Sequence, residues 1–263
     1  MGQTAIRTIL SISMVLYFSA FILFLLKNEK STKRFTLIAY SVWGMGMAAD
    51  MIVVISNFIT NGYVPFVGTF QVLVFLSFLF PVVYHYIRFM YKGTDWMAPY
   101  FCLASSICLV GVLVMGYIRQ ARPLPPALQS VWFVPHILTY MISYSLFGVA
   151  FLIVVGGLFD KRYKERIDRG VYGLVCTGFP FVTMGMFFGA IWANDAWGQF
   201  WSWDGKENWS LVMWVLYLLY LHFYKNEDLK KYANFVSVLG FVALIITMFF
   251  VQFFHPASVH VYS

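Results

Sequence analysis

Residues 137–159 read Ile137-Leu-Thr-Tyr-Met-Ile-Ser-Tyr-Ser-Leu-Phe-Gly-Val-Ala-Phe-Leu-Ile-Val-Val-Gly-Gly-Leu-Phe159, and no charge interrupts them. Crossing the hydrocarbon of a bilayer takes roughly 20 apolar residues at about 1.5 Å of helical rise each. This stretch is therefore one membrane-crossing helix. The same reading applied outward from it gives spans at 5–26, 35–58, 66–88, 97–118, 171–192, 208–224 and 234–254, eight in all with 137–159. The expected fold is an all-α polytopic helical bundle, a single membrane domain over 1–263. Composition agrees. Hydrophobic residues make up 61% and charged residues 11%, against about 25% charged in a soluble domain. A water-soluble enzyme, a disordered chain and a secreted disulfide scaffold are all excluded.

Charge placement orients the bundle. Placing the connections near 27–34, 89–96, 160–170 and 225–233 in the cytoplasm collects 14 of the 18 Lys and Arg there, leaving Arg7, Arg119, Arg122 and Lys206 outside. Basic residues favour the cytoplasmic side, so both termini and the loops over 119–136 and 193–209 are expected to be extracytoplasmic. The +7 net charge is this topology signal, and no nucleic-acid partner is expected. The apolar run Thr8–Leu26 is too long for a signal-peptide core and is followed by Lys27, Lys30, Lys33 and Arg34, which reads as a retained span. Cys102, Cys108 and Cys176 lie in apolar runs with no C-x-x-C and no zinc spacing. The short basic loops hold no phosphate-cradling Gly motif.

One segment departs from this pattern: Trp192-Ala-Asn-Asp195-Ala-Trp197-Gly-Gln-Phe-Trp201-Ser-Trp203-Asp204-Gly-Lys-Glu207-Asn-Trp209. An interfacial aromatic belt accounts for one or two Trp. It does not call for Asp195, Asp204 and Glu207 among them. Flat indoles interleaved with polar handles suit a large planar amphipathic ligand: stacking supplies area and the charges fix orientation. A porphyrin has that shape.

The string from Gly189 through Trp192, Asp195, Trp197 and Gly198 to Trp203, Asp204 and Glu207 resembles the tryptophan-rich WWD signature of haem-handling membrane proteins. Within that group it is most similar to the CcsA (ResC-type) cytochrome c maturation family, rather than to CcmC or CcmF. Pro126–Trp132 leading to His136, Tyr220-Leu-His222, and His260-Val-Tyr262 resemble further stretches of that family, so the likeness covers about residues 60–263. Gly205 stands where the family usually has Pro, and Asn208 where it often has Thr. Gly leaves the backbone freer than Pro there.

Depth sorts the five histidines. His136 opens the fifth span on the outer side, and His255 and His260 follow the eighth. His85 and His222 lie near the inner ends of the third and seventh, His222 about 20 Å deeper than Trp209 along a helix. Two neutral imidazoles at one level can ligate one haem iron. The outer pair is His136 with His260, His255 being in reserve, and the inner pair is His85 with His222. The resemblance implies haem b as the group handled, with Trp192, Trp197, Trp201, Trp203, Asp204, Glu207 and Trp209 as its platform. Arg119 and Arg122 suit its propionates.

The resemblance further implies the haem-handling part of a cytochrome c synthase in a bacterial plasma membrane. Its partners would be a separate ResB-type (CcsB) membrane protein and an apocytochrome Cys-x-x-Cys-His segment. A CcsA-like haem transporter or sensor without ligation activity is one alternative. A bis-His b-type electron carrier is another, and a solvent-facing Trp platform argues against it. Asp50, inside the second span, is either a functional carboxyl or one that is protonated or hydrogen-bonded to a neighbour such as a Tyr or Thr.

Overall fold

A computed structural model describes residues 2–27, 33–115, 124–158 and 164–251. Eight α-helices occupy the eight expected spans, and no strand occurs among the described residues. Seven of the helices are long and apolar enough to cross a membrane, as in an integral membrane protein. The exception is α7, which carries Lys206, Glu207, Asn208, His222 and Lys225 near its ends. The chain forms two compact units, Met1–Pro125 and Pro126–Ser263.

The first unit comprises α1 (Gln3–Leu26), α2 (Lys33–Asn61), α3 (Thr69–Met90), a 3-10 turn (Asp95–Met97) and α4 (Ala98–Met115). α1 packs on α2 and α4, and α3 packs on the same two helices, so the four close into a bundle. Pro81 interrupts α3. It has no N–H to give Ser77 O, and the Ser105 hydroxyl of α4 donates to that carbonyl at 3.0 Å instead. One helix's broken ladder thus becomes an interhelical bond.

The second unit comprises a 3-10 turn (Pro126–Gln129), α5 (Phe133–Gly157), α6 (Lys164–Trp197), α7 (Gly205–Lys225) and α8 (Lys230–Ile245), which runs on into a π-helical turn (Ile246–Phe250). α5 and α6 form its most extensive helix pair, and their register is set by rings seated in glycine notches. A Cβ built on Gly178 would come within 2.7 Å of the Phe147 ring, one on Gly185 within 2.6 Å of Tyr140, and one on Gly189 within 2.6 Å of His136. As the α6 number rises by seven and then four, the α5 number falls by the same steps, as an antiparallel pair requires. Small residues that admit a neighbour's side chain this closely are what helix packing in lipid needs, because apolar burial supplies little drive there. On the opposite side Phe147 stacks on Tyr217 of α7 (centroids 3.6 Å apart), and Tyr217 in turn sits in a notch at Gly240 of α8.

Candidate functional site

His136 sits on the first turn of α5, and its surroundings come almost entirely from α6. Its Nδ1 lies 2.9 Å from Gly185 O. A carbonyl can only accept, so Nδ1 carries a proton, and in the neutral ring Nε2 is then the nitrogen with the lone pair by which an imidazole ligates a metal. The ring stacks on Trp192 (5.3 Å, 24°) and meets Tyr140 edge-on at 5.0 Å. Gly185, Gly189 and Trp192 stand at i, i+4 and i+7, on one face of α6. Two glycines open a slot, one carbonyl orients the ring, and a buried indole walls it.

Two ties fasten the segment before α5 to the end of α6. The Trp192 indole N–H donates to Ala127 O at 2.7 Å, and the Ser130 hydroxyl donates to Asp195 Oδ2 at 2.7 Å. Ser130 Oγ also accepts the Trp132 N–H, and Trp132 stacks on Phe188 of α6.

The structure divides the 193–209 segment. Trp192, Asp195 and Trp197 ride the last turns of α6, and Glu207 and Trp209 the first turns of α7, so the link itself is Gly198–Asp204. Gly198 ends α6 at φ 77°, its N–H donating to Asn194 O, the left-handed stop that glycine makes without strain. Asp204 and Glu207 form a capping box on α7. Glu207 N donates to Asp204 Oδ1 at 2.9 Å, and Glu207 Oε2 accepts from Asp204 N, Ser202 N and Ser202 Oγ. Within the link these two carboxylates organise backbone. The signal was present as Asp-x-x-Glu immediately before an apolar run. Burial lowers the pKa of the neighbouring Lys206, with the Asp204 charge acting in the opposite sense.

Trp201 and Trp203 meet edge-on at 5.9 Å. Trp203 is 68% exposed and takes φ 61°, a left-handed conformation that costs a side-chain-bearing residue about 1–2 kcal/mol. Among the described residues the buried Trp201 indole N–H has no hydrogen-bond partner. Trp197 packs edge-on against Trp192 at 4.9 Å.

His222, exposed in the last turn of α7, has Nδ1 2.8 Å from Leu218 O. His85 belongs to the first unit, where Nδ1 lies 2.8 Å from Pro81 O. Both carry the same tautomer as His136. His85 stands among Tyr40, Trp43 and Tyr84, beside the Arg88–Asp95 ion pair at 2.9 Å. His255, His260, Arg119 and Arg122 lie outside the described residues. Sequence reasoning assigned no site role to Ser130, Tyr140, Gly185 or Gly189. The glycines carried a readable sign, two small residues four apart in an apolar helix.

These features define a polytopic helical membrane protein with a tautomer-fixed histidine and a tryptophan-rich link at one end of its second unit. The chain belongs to the cytochrome c assembly protein family, whose model matches residues 66–257, and that membership places it in cytochrome c maturation. It is 29% identical over 251 residues to a cytochrome c biogenesis protein CcsA of Trieres chinensis, covering 75% of this chain and 78% of that one. To the CcsA of Cyanophora paradoxa it is 29% identical over 291 residues, covering 86% and 88%. To that of Chlamydomonas reinhardtii it is 33% identical over 181 residues, covering 62% and 50%. Its fold is like that of a solved cytochrome c heme lyase CcmF, with TM-score 0.67 at 18% identity. That likeness covers 95% of this chain but 47% of the lyase, so this chain spans about half the lyase's length.

Proposed function

We propose that this chain is the haem-handling subunit of a cytochrome c synthase, binding haem b at an extracytoplasmic site built on His136 and the tryptophan-rich link. The observation that carries the reading is the Nδ1–Gly185 O bond, which fixes the ring and makes Nε2 the nitrogen that would ligate in the neutral imidazole. A backbone acceptor on the other ring nitrogen is the usual companion of a histidine ligand. The donor set fits the group in two further respects. Flat aromatic faces surround the imidazole, and the Trp201 N–H lacks an acceptor of the kind a propionate would supply.

In this reading His136 would hold the haem iron, and His260 is the proposed second outer ligand. Trp192, Trp197, Trp201, Trp203 and Trp209 bound the platform, with Asp204 and Glu207 fixing the start of α7 beneath it. Arg119 and Arg122 are assigned to the propionates. His222 and His85 are each proposed as haem ligands at the inner level. When bound, haem supplies the vinyl groups to which the thiols of an apocytochrome Cys-x-x-Cys-His segment add. The chain's own work is to orient the group, exclude water from one face and present the other. A ResB-type membrane partner completes the synthase, in a plasma membrane with the link outside.

The test is the optical spectrum of the purified, detergent-solubilised protein beside His136→Ala and His222→Ala. A six-coordinate low-spin haem spectrum that weakens in a variant supports the reading and tells which level holds the group. A wild-type protein that carries no haem and takes none up overturns it.

A further inference from the structure

Asp50 lies at the centre of the first unit with no exposed surface, midway along α2. All four helices supply a polar group to this core. Tyr17 of α1 donates its hydroxyl to Asp50 Oδ2 at 3.0 Å, and Ser77 of α3 lies 2.7 Å from the same oxygen. Ser105 of α4 reaches the Ser77 carbonyl. Gly46, one turn before Asp50, admits the Tyr17 ring, since a Cβ there would lie 2.9 Å from it. Asp50 Oδ1 is buried and has no partner.

Ser77 Oγ makes two contacts of 2.7 Å, to Asp50 Oδ2 and to Val74 O. A serine hydroxyl has one proton, and Val74 O has none to give. Both contacts are full hydrogen bonds when Asp50 bears a proton on Oδ2: the acid donates to Ser77 Oγ, and Ser77 donates to Val74 O. With Asp50 ionised, Ser77 must choose between its acceptors, and the orphaned Oδ1 would hold a share of a full charge. Among the described residues no cation pairs with Asp50; the ion pairs there are Arg88–Asp95 and Lys230–Glu227. The titratable groups facing this core are Tyr17 from α1 and Cys102 and Cys108 from α4, and α3 presents Ser77. None is a cation: the carboxyl faces thiols and the hydroxyls of Ser13, Tyr17 and Ser77, with no opposite charge among the described residues.

We propose that Asp50, with Tyr17 and Ser77, is an intramembrane proton-binding site that is filled in the packed bundle and whose emptying loosens α1, α2 and α3 from one another. The ligand is a proton, exchanged at the carboxyl when the bundle opens to water. The site is independent of any haem bound elsewhere in the chain.

The experiment is infrared difference spectroscopy on the full-length protein in liposomes, wild type against Asp50→Asn and Ser77→Ala, with apparent Tm followed across about pH 5 to about pH 8. A protonated Asp50 predicts one carboxylic C=O band at the acidic end that is lost in Asp50→Asn and moves to higher wavenumber in Ser77→Ala, where the acid proton loses its acceptor. The sign of the linkage follows from the folded state holding a proton that the unfolded chain releases: Tm falls as pH rises in the wild type. Asp50→Asn, which keeps the shape of the neutral acid, removes that slope. The proposal is overturned if wild type shows no such band at the acidic end, or if the slope survives in Asp50→Asn. Exchange of potassium for sodium that abolishes the band at constant pH also overturns it, by making the ligand a metal cation. Should Asp50→Asn fail to fold, the band shift in Ser77→Ala decides alone.

Discussion

Adding one methyl group at Gly189 should disable the slot that holds His136. The Cβ would stand 2.6 Å from Nδ1 and 2.7 Å from Cε1, where ordinary contact begins at 3.4 Å. The ring must therefore retreat from α6 by roughly 0.8 Å. Gly185 is on the same helix face, so that retreat stretches the 2.9 Å bond to its carbonyl to about 3.7 Å, beyond hydrogen-bonding range. Overpacking of this kind costs about 1–3 kcal/mol, and the lost bond about 1 kcal/mol. Replacing a helical glycine returns about 0.5–1 kcal/mol of backbone entropy, leaving a net loss near 2 kcal/mol. Gly148→Ala is the control: the same change in α5, with its nearest neighbour, Phe241 Cε2, at 3.7 Å. Apparent Tm in detergent should fall for Gly189→Ala and hold or rise slightly for Gly148→Ala. Haem retained through purification should drop in the first variant alone. If Gly189→Ala matches Gly148→Ala in both measurements, the slot does not position His136 and the reasoning fails.

Three smaller perturbations test the frame around the slot. Ser130→Ala cuts the tie to Asp195 and removes an acceptor from the Trp132 N–H; the expected loss is about 1 kcal/mol, read as a lowered Tm. Glu207→Ala strips the acceptor from Ser202 N, Ser202 Oγ and Asp204 N together. It should cost at least about 2 kcal/mol, more than Asp204→Ala at about 1 kcal/mol, and equal losses would refute the capping assignment. Trp203→Gly relieves the left-handed backbone and should raise stability by about 1 kcal/mol. The same change should lower haem retention, because it deletes an exposed platform ring, and a rise in both would remove Trp203 from the site.

The spans were legible because lipid leaves a helix few choices: uninterrupted apolar runs such as 137–159 must satisfy their own backbone. Their lengths could be counted without knowing any neighbour. The site was legible only by residue type. His136 and the tryptophans stood out, yet residues 193–209 read as one loop because their polar residues broke the apolar pattern. Asp195 and Glu207 are polar for local reasons, one taking the Ser130 hydroxyl and the other capping α7, and neither breaks a helix. The Gly185 and Gly189 pair could be read as a small-residue spacing, but which ring each notch holds could not. A notch has meaning only against the ring that fills it, and the pairing of α5 with α6 is not written in either helix alone.

The three described histidines share a tautomer by two different routes, and the difference decides what can disturb each. His85 and His222 bond the carbonyl four residues back on their own helices, an acceptor that any intact helix provides. His136 turns its Nδ1 elsewhere. The carbonyl four back, Trp132 O, takes its backbone N–H, and its ring turns to Gly185 O on α6. The orientation of His136 is therefore a property of the α5–α6 pair, whereas that of His222 belongs to α7 alone. It follows that Gly185→Ala, whose Cβ would strike Tyr140 at 2.6 Å and Thr139 Oγ1 at 3.2 Å, should separate the helices and perturb haem held through His136 while leaving any contribution of His222 in place. The check is the spectrum of Gly185→Ala combined with His222→Ala. Loss beyond that of His222→Ala alone supports separate control of the two levels. If Gly185→Ala removes nothing further, the orientation of His136 does not depend on α6.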